Sequence, residues 1–259
     1  MLAPGKIART ILLAAALSVL FPLMSCSRLE EPGTSVPVQA DREDPGLYLF
    51  DYNDVAIDTT SSIGTKIKNC NIYLDIYGDL IVLGELENIS GSIKTDMEIT
   101  MDFMGHDRSV VHSAAVPLKA EYLRKGAKCP FSHCFTESTK YIELSSVKIG
   151  VNYRDHNDSF EGNPIVQVED YYYRDDYLNI EGSIINIGGE RIKDLLLLCT
   201  FYDNRDRVVF VKECHLPRER MMAAEEQDFS LEVLLDDYLK RFTTFHFEIF
   251  FADEIRVNV

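Results

Sequence analysis

Apolar and polar side chains alternate along several stretches of the chain with a period of two residues. The clearest stretch places four apolar residues on one parity, with acids and a threonine between them: Met97, Ile99, Met101 and Phe103. Because successive side chains of a strand point to opposite faces, this pattern predicts a strand with one buried face. A second run predicts the last strand of the same unit: Val147, Ile149, Val151 and Tyr153.

The pattern occurs twice. Positions 73–153 match positions 171–251 at a constant offset of 98 residues, without a gap. An even offset preserves the parity of every strand, so the match indicates two copies of one folding unit. The inward positions recur as Leu195, Leu197, Cys199 and Phe201, and as Phe245, Phe247, Ile249 and Phe251. The other matched positions are glycines, apolar residues and turn residues: Gly84/Gly182, Asn88/Asn186, Asp96/Asp194 and Phe131/Phe229.

Turn-forming residues separate the predicted strands in both copies, at 88–91 and 186–189 and again at 105–107 and 203–206. About six or seven short strands per copy, with little helix, are typical of a β-sandwich. We therefore predict an all-β chain with two tandem immunoglobulin-like β-sandwiches. Their predicted bounds are 47–155 and 164–259.

The amino-terminal segment has the features of an export signal. Lys6 and Arg9 precede an apolar core at 11–20, and Leu23-Met24-Ser25-Cys26 follows. This tetrapeptide resembles the lipobox of bacterial lipoproteins. The resemblance implies a signal peptide at 1–25, cleavage before Cys26, and lipid, including palmitate, on that cysteine. An uncleaved membrane helix is the alternative, and both readings place the rest of the chain outside the cytoplasm.

The next segment, 26–46, contains three prolines, two glycines and few bulky apolar residues. Such a composition cannot bury a core, so it predicts a disordered tether. In many Gram-negative lipoproteins, an aspartate directly after the lipidated cysteine favours retention in the inner membrane. This chain has Ser27 at that position. The resemblance therefore favours the outer membrane, with the chain in the periplasm or facing the surface.

The charge balance excludes some partners. The chain has 42 acidic and 26 basic residues, a formal net charge of −16. Nucleic acids and anionic lipid surfaces both attract basic patches, so we expect neither as a partner. The membrane contact that we expect is through the lipid anchor alone.

The second copy carries the motif of a known family. Gly182-Ser-Ile-Ile-Asn186-Ile-Gly-Gly189 is followed by an apolar strand that ends in Phe201-Tyr202-Asp203, and then by Val208-Val209 and Phe229. This series resembles the FxLYD domain, an immunoglobulin-like module of extracytoplasmic prokaryotic proteins. The resemblance implies a binding or spacer module without known catalytic residues. The first copy has Met104-Gly105 where the family has Tyr-Asp, and it keeps Gly84, Asn88, Phe103, Val110, Val111 and Phe131.

Two segments could hold a metal ion. Cys129, His133 and Cys134 are possible zinc ligands, although a zinc site needs three or four converging side chains and a strand would place Cys134 on the opposite face. The run from Asp155 to Gly162 between the two copies has oxygen donors at alternate positions, but it lacks the glycine of a calcium loop. Ordinary strand residues or a redox pair at 129–134, and a solvated linker at 155–162, are the simpler interpretations, so we predict no metal and no cofactor.

Five cysteines remain after Cys26: Cys70, Cys129, Cys134, Cys199 and Cys214. Their number is odd, and none has a cysteine counterpart in the other copy, so no disulfide belongs to the shared fold. The sequence contains no nucleophile elbow, phosphate loop or paired histidine motif. We therefore do not expect an enzyme.

Two sets of side chains are candidates for contact with a partner. Tyr171, Tyr172 and Tyr173, with Tyr177, could form an aromatic platform for a sugar or a peptide, or could be ordinary strand residues. The outward positions Glu98, Thr100 and Asn152 of the first copy correspond in the second copy to these apolar residues: Leu196, Leu198 and Phe250. An exposed apolar patch usually marks a contact, so we expect this face to dock on the first domain or on a partner protein.

These observations predict a lipid-anchored protein of the bacterial cell envelope with non-catalytic β-sandwich modules. Its expected role is to bind or position another envelope protein. The alternative is a lipoprotein that binds a glycan or a metal through the tyrosine run or through residues 129–134.

Overall fold

The computed structural model describes residues 36–37, 55–60, 62–75, 79–136, 144–157, 159–235 and 241–254. The predicted signal peptide, Cys26 and most of the predicted tether lie outside these ranges. All regular elements of the described residues are β-strands. No helix among them has the length and apolarity to cross a membrane. The described residues belong to one compact unit.

The first sandwich is built from eight strands in two sheets. One sheet has the order β2-β9-β5-β6, with the short β7 paired to β5, and the other has the order β3-β4-β8. The strands are β2 (Ala56–Thr59), β3 (Thr65–Leu74), β4 (Leu80–Asn88), β5 (Ile93–Gly105), β6 (Val110–Pro117), β7 (Tyr122–Leu123), β8 (Lys128–Phe135) and β9 (Leu144–His156).

The second sandwich repeats this arrangement. Its sheets have the orders β1-β16-β12-β13, with β14 paired to β12, and β10-β11-β15. The strands are β1 (Val36–Pro37), β10 (Pro164–Arg174), β11 (Tyr177–Asn186), β12 (Ile192–Tyr202), β13 (Val208–Cys214), β14 (Arg220–Met221), β15 (Glu226–Leu234) and β16 (Thr244–Asp253). The predicted all-β fold with two sandwiches is confirmed.

The alternating positions that predicted the strands form two separate cores. In β5 and β12 the inward residues Met97, Met101, Leu197 and Phe201 are buried. Each set belongs to its own cluster, one within each sandwich. The period of two therefore identified the correct faces, because each sheet buries one side against the other sheet of its own sandwich.

A short strand of the predicted tether completes the second sandwich. β1 pairs antiparallel with β16 at Phe245 and Thr244. In the first sandwich the equivalent edge, at Val147 of β9, is covered by β2, which runs parallel to it. Among the described residues of the second copy no strand of its own lies at this edge, and β10 begins at Pro164.

The repeated glycines are explained by the repeated phenylalanines. Gly84 lies opposite Phe131, and Gly182 lies opposite Phe229 in the neighbouring strand. A Cβ atom on Gly84 would stand 2.5 Å from the ring of Phe131. One on Gly182 would also stand 2.2 Å from the backbone oxygen of Gln167. Both positions require glycine because the ring lies directly on the backbone.

The repeated aspartates mark irregularities of the strands. Asp96 and Asp194 have positive φ angles of 50° and 55°. Each lies where the register of its strand shifts against its neighbour, at 95–98 and 193–196. Asp tolerates the left-handed conformation better than most residues, which explains its presence at the same bulge in both copies.

A buried asparagine joins two loops at one end of each sandwich. The Nδ2 atom of Asn88 donates to the carbonyl oxygens of Ser92, at 2.7 Å, and of Leu123, at 2.8 Å. Asn186 makes the corresponding bond to Glu190, and its second bond goes to the carbonyl oxygen of Met222, one position beyond the counterpart of Leu123. Since the asparagine is fully buried in both copies, these bonds fix the relative position of the two loops.

Candidate functional site

The apolar outer face of the second sandwich is covered by the first sandwich. Leu198 and Phe250 are 0% and 3% exposed, and both belong to the buried cluster of the first sandwich. Leu196 is partly buried and packs against the same cluster. The sequence predicted that this face docks either on the first domain or on a partner protein. In the structure it packs against the first domain. A partner protein cannot reach Leu198 or Phe250 while the sandwiches hold this arrangement.

A buried carboxylate lies in the same contact. Glu85 of β4 is 1% exposed. It accepts hydrogen bonds from the hydroxyl of Tyr202 at 2.5 Å and from Nδ2 of Asn69 at 2.6 Å. Burial, and then the charge of Glu85, raise the pKa of the Tyr202 phenol. The hydroxyl therefore stays protonated and keeps donating to the carboxylate.

Neither residue of this pair was predicted from the sequence, although one signal was present. Glu85 interrupts the otherwise apolar run from Leu80 to Leu86, and the same position of the second copy is Ser183. An acid in the middle of a buried strand needs a partner. Its identity could not be inferred, because Tyr202 lies in the other copy.

Further polar contacts join the two sandwiches. Nδ2 of Asn71 donates to the carbonyl oxygen of Val208 at 3.1 Å, and the hydroxyl of Tyr73 donates to that of Val209 at 3.4 Å. At the rim, Lys119 and Glu213 form an ion pair of 2.7 Å between exposed side chains. Such an exposed pair adds little to stability, so the buried groups carry the contact.

The residues of the family-like motif have structural roles. Phe201 is fully buried in the second core, and Tyr202 faces the first sandwich. Asp203 accepts hydrogen bonds from the backbone amides of Arg205 and Arg207, both at 2.9 Å, and closes the β12–β13 turn. The motif therefore supplies a core residue, an interdomain bond and a turn.

The tyrosine run is divided between the two faces of its sheet. Tyr171 lies on the inner side and packs edge-on against Phe245, with 5.7 Å between ring centroids. Tyr172 and Tyr177 occupy the outer face, and they are 40% and 38% exposed. Tyr173 is at the inner register but remains exposed at the sheet edge. An aromatic surface on the outer face therefore consists of Tyr172 and Tyr177, with the exposed Leu234 opposite Tyr177.

The possible zinc ligands Cys129, His133 and Cys134 do not converge. Cys129 is buried in the first core, whereas Cys134 is exposed and its Sγ points to Asp79 at 3.9 Å. Burial raises the pKa of Cys129 to about 12. In the part of the chain that the structure describes, no three His, Cys, Asp or Glu side chains are arranged to hold a metal ion.

The linker that resembled a calcium loop uses its first acid elsewhere. The carboxylate of Asp155 accepts hydrogen bonds from Nζ of Lys94 and from the hydroxyl of Ser92. These bonds lower the pKa of Asp155. Lys94 is itself 2% exposed, so the pair compensates a buried ammonium group.

The other five cysteines, at 70, 129, 134, 199 and 214, are free thiols.

Two histidines pack together between the sheets of the first sandwich. His112 of β6 and His133 of β8 are stacked, with 6.3 Å between ring centroids, beside Phe103 and Phe135. Nε2 of His133 is buried and has no hydrogen-bond partner among the described residues. Burial, and then the charge of His112, lower the pKa of His133.

We expect acid to destabilise the first sandwich through His133. A histidine in the unfolded chain has an ordinary pKa of about 6.5, whereas the folded value is lower, so the unfolded chain binds the proton more readily. The contribution is complete above about pH 6.5 and is lost as pH falls through the folded pKa. Urea unfolding at pH 7.5 and 5.5 measures the loss, which His133→Phe reduces and His106→Phe, in an exposed turn, leaves unchanged. Equal pH dependence in His133→Phe and the parent would contradict the assignment.

Comparisons with known proteins find only distant structural likenesses. No protein-family model and no curated protein matches the chain. Among solved structures, red sea bream transglutaminase is 10% identical, with a TM-score of 0.22, over 73% of this chain and 30% of that one. The CBM22-1–CBM22-2 tandem domain of Xyn10C from Paenibacillus barcinonensis is 8% identical, with a TM-score of 0.18, over 77% and 89%. The chain thus spans less than a third of the transglutaminase.

Proposed function

We propose that this chain is a lipid-anchored protein of the bacterial cell envelope, with two FxLYD-like β-sandwiches that act as a non-catalytic spacer and binding module. The buried contact between the sandwiches carries the proposal. Leu198, Phe250 and the Glu85–Tyr202 bond join the two copies into one compact unit. A unit with a fixed internal contact can hold a binding surface at a set distance from a membrane anchor.

The arrangement of the family-like motif supports a scaffold rather than a reaction centre. Phe201, Tyr202 and Asp203 serve the core, the interdomain contact and a turn. The surface that we assign to a partner protein is the outer face of β10-β11-β15, which carries the exposed side chains of Tyr172, Tyr177 and Leu234. Exposed tyrosines provide large contact areas at low entropic cost, which suits protein recognition.

The anchor is tested by Cys26→Ser. We expect the parent chain to fractionate with membranes and to incorporate labelled palmitate, because attached acyl chains give stable anchoring. The serine variant should lose the label. Cys134→Ser, which removes an exposed thiol, should behave as the parent. A labelled Cys26→Ser protein would contradict the proposed anchor.

The partner surface is tested by site-specific photocrosslinking in intact cells. A photoreactive phenylalanine at Tyr172 or Tyr177 should yield a discrete protein adduct. The same group at Lys148, an exposed position of the first sandwich, is the matched control. Adducts of the same pattern from all three positions, or from none, would count against a specific protein partner on this face.

The second candidate function is glycan binding at the same outer face. Tyr172 and Tyr177 are exposed aromatic rings on one side of the sheet, and the Tyr172 hydroxyl is held by Glu181 at 3.2 Å. Exposed rings beside polar groups can stack on sugars. A glycan array separates the two functions. If the parent protein binds a sugar on the array and Tyr172→Ala does not, glycan binding is favoured.

A further inference from the structure

A cleft of about 430 Å³ lies at one end of the first sandwich, where the linker to the second sandwich leaves it. The linker residue Phe160 forms part of its wall and packs on the ring of Tyr122, at 5.0 Å between centroids. Basic and hydrogen-bonding side chains dominate the rest of the lining: Ser92, Arg124, Lys125, His156, Asn157 and Ser159.

The buried asparagine of the first copy builds this cleft. Asn88 holds the loop of Ser92 and the loop that follows Leu123, through its two side-chain hydrogen bonds. The amide of Gly126 donates to the carbonyl oxygen of Asn88 at 2.8 Å, which closes the turn that carries Arg124 and Lys125. The two walls are therefore fixed by the scaffold before any ligand arrives.

Arg124 is held with one face of its guanidinium against an aromatic ring. Its Cζ lies 4.1 Å from the centroid of Phe251 in the second sandwich. Stacking occupies the face of the group and leaves its in-plane N–H donors available. Burial lowers the pKa of Arg124, while Glu248 and Asp253 oppose that change. No described carboxylate forms an ion pair with Arg124 or Lys125.

The second copy shows that the turn itself does not need these bases. The positions equivalent to Arg124 and Lys125 are Met222 and Ala223. Their turn has the same backbone hydrogen bonds, from Ala224 to Asn186 at 2.8 Å and from Glu225 to Met222 at 3.3 Å. The basic pair is therefore an addition to the first copy, in a chain whose net charge is −16.

The acid that precedes the lining histidine does not neutralise the cleft. Asp155 is occupied by Lys94 and by the hydroxyl of Ser92. His156 packs on Tyr122 and on Phe160, with centroid distances of 5.1 Å and 5.8 Å, so its ring is part of a fixed aromatic wall. The described lining contains no Asp or Glu.

We propose that this cleft binds a small molecule, or a chain end, that carries a phosphate or carboxylate group. Arg124 and Lys125 pair with the oxyanion, Asn157 and Ser159 add hydrogen bonds, and Phe160 covers the ligand's body. A guanidinium matches both phosphate and carboxylate geometry, so the shared chemistry is an oxyanion with at least two oxygens. The site is independent of the lipid anchor and of the tyrosine face.

The test is calorimetric titration of the purified full chain with four probes: inorganic phosphate, glucose 6-phosphate, glucuronate and neutral glucose. We expect saturable binding of an anionic probe, weakened by added salt, and no heat from glucose. If a phosphate probe binds and glucuronate does not, the ligand is phosphorylated. If glucuronate binds and the phosphate probes do not, the ligand is a uronate or a similar carboxylic acid.

The deciding variant is Arg124→Met with Lys125→Ala, which installs the residues that the second copy uses in the same turn. It should fold as the parent and bind the anionic probe at least tenfold more weakly. Lys66→Met with Lys148→Ala removes two exposed positive charges elsewhere and should retain binding. No anionic binding by the parent up to 10 mM, or equal binding by both double variants, would overturn the proposal.

Discussion

Phe201→Ala should destabilise the second sandwich by about 3–5 kcal/mol, since it removes a fully buried aromatic ring from a packed core. Phe201 contacts three other rings: Phe242 at 5.2 Å, Phe210 at 5.9 Å and Phe245 at 6.0 Å between centroids. Phe210 lies on β13 and Phe245 on β16, and Phe242 lies in the segment just before β16, so the cavity is bordered from both strands that flank β12. Urea unfolding followed by hydrogen exchange measures the loss.

Exchange should accelerate first in β12, β13 and β16, which surround the cavity. The first sandwich should follow in part, because the contact with Tyr202 and Leu198 is lost when the second sandwich opens. Phe210→Ala is the matched control: it removes the same ring from a half-buried position and should cost less. A Phe201→Ala chain that unfolds at the parent's urea concentration would show that the ring is not essential to the core.

The sequence predicted the fold well because each sandwich strand shows a local alternation of apolar and polar residues. The alternation of Met97, Ile99 and Met101 assigned the inner face of β5 without any tertiary information. The matched Asp96 and Asp194 were visible as a repeat, but their role at a bulge required the positive φ angles. Parity is a property of neighbouring residues, whereas a bulge depends on the partner strand.

Only the apolar part of the contact between the sandwiches could be predicted from the sequence. The three apolar substitutions at 196, 198 and 250 indicated a covered face, and the structure places that face on the first sandwich. The polar half, Glu85 with Tyr202, joins residues 117 positions apart. Similarly, the run of consecutive tyrosines suggested one platform as a possibility, whereas the strand places Tyr171 and Tyr172 on opposite sides.

The cleft at Arg124 shows a different limit. The sequence contained the comparison that singles it out, since Met222 and Ala223 replace the two bases in the second copy. That difference has no meaning until the linker and the loop at Ser92 are known to meet the turn. Those three segments lie on separate elements, and only the fold brings them together.

Leu198→Glu should separate the two sandwiches. Leu198 points away from its own core, on the opposite parity from Leu197 and Cys199, and its side chain is fully buried by the first sandwich. An ionised carboxylate there loses its hydration without a positive partner, which together with the lost apolar burial costs about 3 kcal/mol or more. Opening the contact relieves that cost while both cores persist.

Small-angle scattering should therefore show a larger radius of gyration, and hydrogen exchange should rise at β4 and β13 before it rises in either core. Thr100→Glu is the matched control, because Thr100 occupies the equivalent position of the first copy and is half-exposed. It should leave both measurements unchanged. The remaining bonds at Glu85 and Asn71 cannot compensate a buried charge at position 198. A Leu198→Glu chain with the parent's dimensions and exchange pattern would therefore show that the apolar face does not hold the sandwiches together. The rigid spacer would then lose its physical basis.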